Sequence, residues 1–194
     1  MPERIQGTWN QCAGVRAFPY RCGYCDASVG PDKGYVMADG NSDQVSIRIC
    51  PVCNRPSFFV NEEQHPQVAF GEAVKNVPAP VEALYNEARR CTAAGAHTAA
   101  VLTARKLLMH IAVDQKAPEG ANFIQYVQYL ADNGFVPPHG KGWVDYIRLK
   151  GNEANHEIVL MGQKDTQDLL IFLVMLLKFI YELPSYIPKA PATS

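Results

Sequence analysis

The sequence predicts a mainly α chain, a helical bundle of about five helices preceded by a small β zinc ribbon. Two Cys-x-x-C pairs, Cys22 with Cys25 and Cys50 with Cys53, flank a β-prone stretch near the N-terminus. From Val81 onward, apolar residues recur at the three- and four-residue intervals of amphipathic helices. Between these parts, residues 61–80 carry prolines at 66, 78 and 80 and no sustained period. The expected division is a zinc ribbon at 1–60, a linker at 61–80, a helical bundle at 81–184 and a loose tail at 185–194.

Composition narrows the function classes. A chain of 194 residues with 47% hydrophobic content can bury its own core. Its 18 basic and 19 acidic residues leave a formal charge of −1. The molecule as a whole does not attract polyanions, so any nucleic-acid contact must come from a local patch. The opening MPERIQGTWNQ has no apolar run of the secretory kind. The most apolar stretch, LLIFLVMLLKFIY at 169–181, is shorter than the ~20 residues that span a bilayer and contains Lys178. A buried core helix is expected there, with no membrane partner. Four paired cysteines without an export signal point to metal-held thiolates in a reducing compartment, hence a cytoplasmic location.

The β elements are read from GYVMA (34–38), VSIRIC (45–50) and SFFV (57–60), with ADGNSD supplying turn chemistry between the first two. VEALYNEARRCTAAG reads as a helix ending at Gly95. HTAAVLTARKLLMHIAVDQK reads as a second, with Val101, Ala104, Leu108 and Ile111 on one face. A third begins after the N-cap Asn122 and ends before Gly134. A fourth, GKGWVDYIRLK, follows the Pro137-Pro138 break, and KDTQDLLIFLVMLLKFIYEL gives a central fifth, stopped by Pro184.

The two-residue spacing lets Cys22, Cys25, Cys50 and Cys53 reach a single tetrahedral ion, and the 24 residues between the pairs hold a hairpin. Four thiolates leave no open position for water, so one structural zinc ion is expected rather than a catalytic one. Two disulfides or a redox pair are the alternatives. Cys12 and Cys91 fit neither pair and read as small buried hydrophobes. Arg16, Arg21, Lys33, Arg48 and Arg55, with Tyr20, Tyr24 and Phe58, could form a basic surface with stacking platforms. Residues 1–60 nevertheless hold six basic and five acidic side chains. Nucleic-acid contact and protein docking through the ribbon both stay open.

IRLKGNEANHE, residues 147–157, is the unusual polar stretch. If the fourth helix continues through it, Arg148, Asn152 and His156 recur every four residues on one slowly drifting face. Gly151 costs such a helix about 1 kcal/mol, which suggests either the close approach of another backbone or a local break. An imidazole can move the proton of a 2′-hydroxyl or leaving oxygen, a cation can stabilise charge on phosphorus oxygens, and an amide can orient either. The simpler reading is that Asn152 and His156 cap helix ends in a bent turn.

YNEA (85–88), ARKLL (104–108) and RLKGNEANH (148–156) resemble the helical family known as domain of unknown function 4145, and through it the HEPN superfamily. The resemblance spans about residues 78–184. It implies a HEPN-like bundle that dimerises, with His156 as acid/base, Arg148 as phosphate partner and Asn152 in support. Lys150 and Arg105 are further phosphate-binding candidates. Seven residues separate Arg148 from His156, one more than the superfamily's usual gap. Five residues separate Lys150 from the histidine, but lysine lacks the guanidinium fork.

Two functions follow as expectations. One is a metal-independent endoribonuclease or RNA-binding effector of prokaryotic defence, acting as a homodimer. The other is a non-catalytic adaptor whose bundle dimerises and whose ribbon docks a protein partner, such as a restriction or toxin–antitoxin component.

Overall fold

A computed structural model describes residues 3–37, 44–153 and 160–187. The chain divides into two compact units, Met1–Ala69 with Thr92–Gly95, and Phe70–Cys91 with Ala96–Ser194.

The first unit contains β1 (Ala13–Gly14), β2 (Tyr20–Arg21), β3 (Ser28–Val29), β4 (Lys33–Val36), β5 (Val45–Ile49), β6 (Pro56–Val60) and β7 (Glu63–His65). Five of these form an antiparallel sheet in the order β1-β4-β5-β6-β7, and β2 pairs with β3. The strands expected from β-branched and aromatic runs are β4, β5 and β6. The first three are too short to show a two-residue period, and β7 reads Glu-Gln-His within the proline-containing stretch. The ADGNSD turn lies outside the described residues. At Gly34 the strands approach so closely that a Cβ would run into the Ile47 carbonyl oxygen, so only glycine fits.

Alternation along β5 turns Ser46 and Arg48 inward. This corrects the expected basic surface, because Arg48 is 3% exposed. Its guanidinium lies 3.8 Å from the Phe18 ring centroid and donates to the Arg16 carbonyl at 2.7 Å. Phe18, Tyr20 and Phe59 surround it with mutual centroid distances of 5.9, 5.2 and 4.9 Å. A buried guanidinium is tolerated where a carbonyl and aromatic faces replace water.

The helices are α1 (Ala79–Ala93), α2 (His97–Asp114), α3 (Phe123–Asp132), α4 (Lys141–Glu153) and α5 (Gln163–Leu177). Asn122 caps α3 reciprocally, accepting from the Gln125 backbone N–H at 3.0 Å while the Gln125 side chain accepts from its own N–H at 2.8 Å. Gly95 and Gly134 take left-handed φ values of +70° and +78° just past α1 and α3. The helical path does not stop at Pro184. It continues from α5 through a π-helical turn, Lys178–Glu182, into a 3₁₀ turn, Leu183–Tyr186. Pro184 sits in the first positions of that turn, where a missing N–H costs little.

Val101, Ala104, Leu108 and Ile111 of α2 are buried against Val127 and Leu130 of α3 and Leu170, Leu173, Leu176 and Leu177 of α5. Helices α2 and α5 run in the same direction. The His97 carbonyl meets Thr166 near both starts, and Asp114 meets Tyr181 near both ends. The run Gln163–Tyr186 is long and apolar enough to cross a membrane by length and composition, with a third of its most apolar window buried in the fold.

Segment 70–77 straps α1 to the end of this run. Tyr85 donates to the Glu72 carbonyl at 2.8 Å, and Arg89 to the carbonyls of Phe70 and Gly71 at 3.2 and 2.7 Å. Glu72 pairs with Lys178 at 2.5 Å, and Asn76 donates to Ser185 at 2.7 Å. Burial raises the Tyr85 hydroxyl pKa to about 12, with the nearby Arg89 charge opposing the shift.

Candidate metal centre

The four paired cysteines come together. Their sulfurs all lie within 4.8 Å of one another, and all four side chains are buried. Cys22 Sγ stands 3.7 Å from Cys53 Sγ, and Cys25 Sγ 3.8 Å from Cys50 Sγ. A tetrahedron with metal–sulfur bonds of about 2.3 Å has edges of about 3.8 Å, so these separations suit four thiolates around one ion. The donor set fits a chelated metal.

Two copies of the same local structure place these sulfurs. In the first, Cys22 N–H donates to the Ala27 carbonyl and Asp26 N–H to the Cys22 carbonyl, both at 2.9 Å. In the second, Cys50 N–H donates to Arg55 at 3.0 Å and Asn54 N–H to Cys50 at 2.8 Å. Asp26 and Asn54, each directly after the second cysteine of its pair, have φ of +64° and +60°. Asp and Asn tolerate this left-handed conformation better than other non-glycine residues. The Asp and Asn after the cysteines are the sequence signal for these two positions.

The turns aim backbone amides at sulfur. Burial pushes the Cys22 thiol up, opposed by the N–H groups of Tyr24 and Cys25. Burial likewise raises Cys25, opposed by the Ala27 N–H. At Cys53 burial is outweighed by the Arg55 N–H and the neighbouring sulfurs, leaving the thiol below its ordinary value. These donors support thiolate charge, as a cation at the centre would require.

Both turns are held from outside. A Cβ on Gly23 would run into the Pro66 carbonyl oxygen, so the chain after β7 packs directly on the first turn. The N-terminal segment covers the second. Arg4 donates to the carbonyls of Pro51 and Val52 at 2.5 and 2.9 Å, and Asn54 Nδ2 to those of Ile5 and Gly7 at 2.9 and 3.0 Å. Trp9 donates to the Asn54 carbonyl at 3.0 Å. Cys12 and Cys91 are half-buried and lie outside the cluster.

Of the residues expected to handle phosphate, His156 lies outside the described residues, as do the side chains of Lys150 and Asn152. The backbone is informative. Helix α4 continues through Gly151 and Asn152 to Glu153, which puts Arg148 and Asn152 one turn apart on a continuous helix. Arg148 Nη1 donates to Gln128 Oε1 at 3.1 Å and stands 3.7 Å from Asp145, with 41% of the side chain exposed. Arg105, on α2, meets α3 elsewhere, its guanidinium 4.4 Å from the Phe123 ring centroid, and burial lowers its pKa. Phe123 and Gln128 are five residues apart, about 7.5 Å along α3 and on different sides of it.

No curated protein and no solved structure matches the chain. The family described as Domain of unknown function (DUF4145) matches residues 86–189, from within α1 through α5 and the turns after it, leaving the four-cysteine cluster outside. That match covers more than half of the 194 residues, and the chain belongs to this family.

Proposed function

We propose that the chain is an RNA-binding effector of HEPN-like type, with a zinc-stapled β unit as a structural module and a phosphate-handling helix in the α unit. Its activity would be metal-independent endoribonuclease cleavage in prokaryotic defence, performed as a homodimer. The observation that carries the reading is Arg148 on an unbroken α4, half-exposed and oriented by Gln128. A guanidinium held this way keeps N–H groups for a phosphate while its position is fixed by a neutral partner. The His156 imidazole, eight residues on, is the acid/base of this reading, and a dimer mate would supply the second group that one imidazole cannot provide.

The ion in the β unit is proposed to be zinc. The sulfur separations suit its bond length, and four thiolates saturate its tetrahedral preference, so its role is to fold the unit.

A second reading is a non-catalytic dimerising adaptor. It is favoured by Asp145, whose carboxylate beside Arg148 competes with any phosphate there. Incubation with labelled single-stranded RNA, in magnesium-free buffer with EDTA at a level that leaves zinc bound, separates the two. The nuclease reading expects cleavage that falls at least 100-fold in both His156→Ala and Arg148→Ala without loss of thermal stability. RNA that stays intact with every protein, together with a dimer in sedimentation, selects the adaptor.

A further inference from the structure

A cleft of about 470 Å³ opens beside α4 and the start of α5, lined by His139, Gly142, Trp143, Tyr146, Lys164 and Asp168. Its walls are aromatic and its polar groups are ordered. Trp143 and Tyr146 meet edge to face with centroids 6.1 Å apart. Asp168 accepts from the Tyr146 hydroxyl at 2.7 Å and from Lys164 Nζ at 3.0 Å. The carboxylate is 15% exposed and the lysine 83%.

The spare capacity of these groups defines the ligand. The charge of Asp168 is matched by Lys164 and directed by Tyr146, which makes it a poor receptor for a second cation. Lys164 has three N–H donors and uses one on Asp168, leaving two for an acceptor. His139 at the rim adds ring nitrogens. A flat indole wall beside these donors suits an aromatic ring carrying a negative group. Gly142 leaves the space beside Trp143 open, because a Cβ there would meet nothing within 4 Å.

We propose that this cleft binds a small aromatic carboxylate, with its ring against Trp143 above Gly142 and its carboxylate at Lys164 and His139. The site is independent of the RNA reading, since none of its six residues belongs to the phosphate-handling set. Binding involves no bond making or breaking.

The test uses the full chain and the indole N–H signals of its two tryptophans in ¹⁵N NMR. Trp9, hydrogen-bonded within the other unit, is the internal control. Titration with 2-naphthoate is expected to move the Trp143 signal saturably at submillimolar concentration and leave Trp9 in place. The uncharged 2-naphthamide should bind at least fivefold more weakly, as should 2-naphthoate to Lys164→Gln. Gly142→Leu, which adds a side chain to the lining at a position open to a Cβ, should remove binding while keeping the folded spectrum. A Trp143 signal unmoved by millimolar 2-naphthoate overturns the proposal. So does equal binding of the amide, tighter binding of the 2-naphthylmethylammonium cation, or unchanged binding to Gly142→Leu.

Discussion

The two units are held by different forces. In the α unit, α2, α3 and α5 bury a continuous set of large side chains, among them Leu107, Leu108, Ile111, Leu130, Phe172 and Leu173. In the β unit, the cluster around the thiols contains one other buried side chain, Val29, besides Cys22, Cys25, Cys50 and Cys53. Burial of apolar surface yields about 25 cal/mol per Å², so the first arrangement can stabilise itself and the second cannot go far. Metal coordination at the four sulfurs would supply what the small core lacks and would concentrate that stability there. Distributed packing degrades gradually under substitution, whereas a staple fails all at once.

The largest expected effect is therefore local to the β unit. Removing the metal, or substituting Cys25→Ser or Cys50→Ser, should unfold residues 3–69 with a loss on the order of 10 kcal/mol. Amide signals of α2 and α5 should stay dispersed in the same NMR spectrum. Retention of both sets of signals would mean that the strands fold by packing alone. Next, Leu173→Ala, at a side chain with no exposure, should cost about 2–5 kcal/mol in denaturant unfolding of the α unit and leave metal affinity unchanged.

An alkaline effect follows from Tyr85. Its folded pKa of about 12 lies above the ordinary value of 10.0, so the folded state keeps a proton that the unfolded chain releases. The stability tied to that proton is fully present below pH 10 and is lost as the pH rises towards 12. It amounts to about 2–3 kcal/mol at most. Tyrosinate absorbance against pH should show this group titrating late, and Tyr85→Phe should flatten the loss. The smallest effect belongs to the α3 cap, where Asn122→Ala should cost about 1 kcal/mol by chemical denaturation.

The same contrast governs what the sequence reveals. Coordination chemistry is written in residue identity and spacing, so Cys22, Cys25, Cys50 and Cys53 were legible as one cluster. Helical packing is written in periodicity, so α2 with its buried Val101, Ala104, Leu108 and Ile111 was legible too. Arg48 was not. Its inward turn depends on the alternation of β5 and on Phe18, Tyr20 and Phe59, which the fold brings together from other strands. The Trp143 cleft was also hidden, because Tyr146 and Asp168 meet across 22 residues of chain. At Gly151 the local penalty left two readings open, a break or the close approach of another backbone, but a cost of about 1 kcal/mol is small beside the packing of Val144 and Ile147 on the preceding turns, and α4 continues.

Cobalt titration of the reduced, metal-free chain tests the four-thiolate centre most directly. One equivalent per chain should bind, with the intense ligand-field and sulfur-to-metal bands of a tetrahedral tetrathiolate site, and zinc should displace it. Binding that lacks these bands, or a freshly purified chain in which the four thiols are already joined as disulfides, would contradict a metal staple in the β unit.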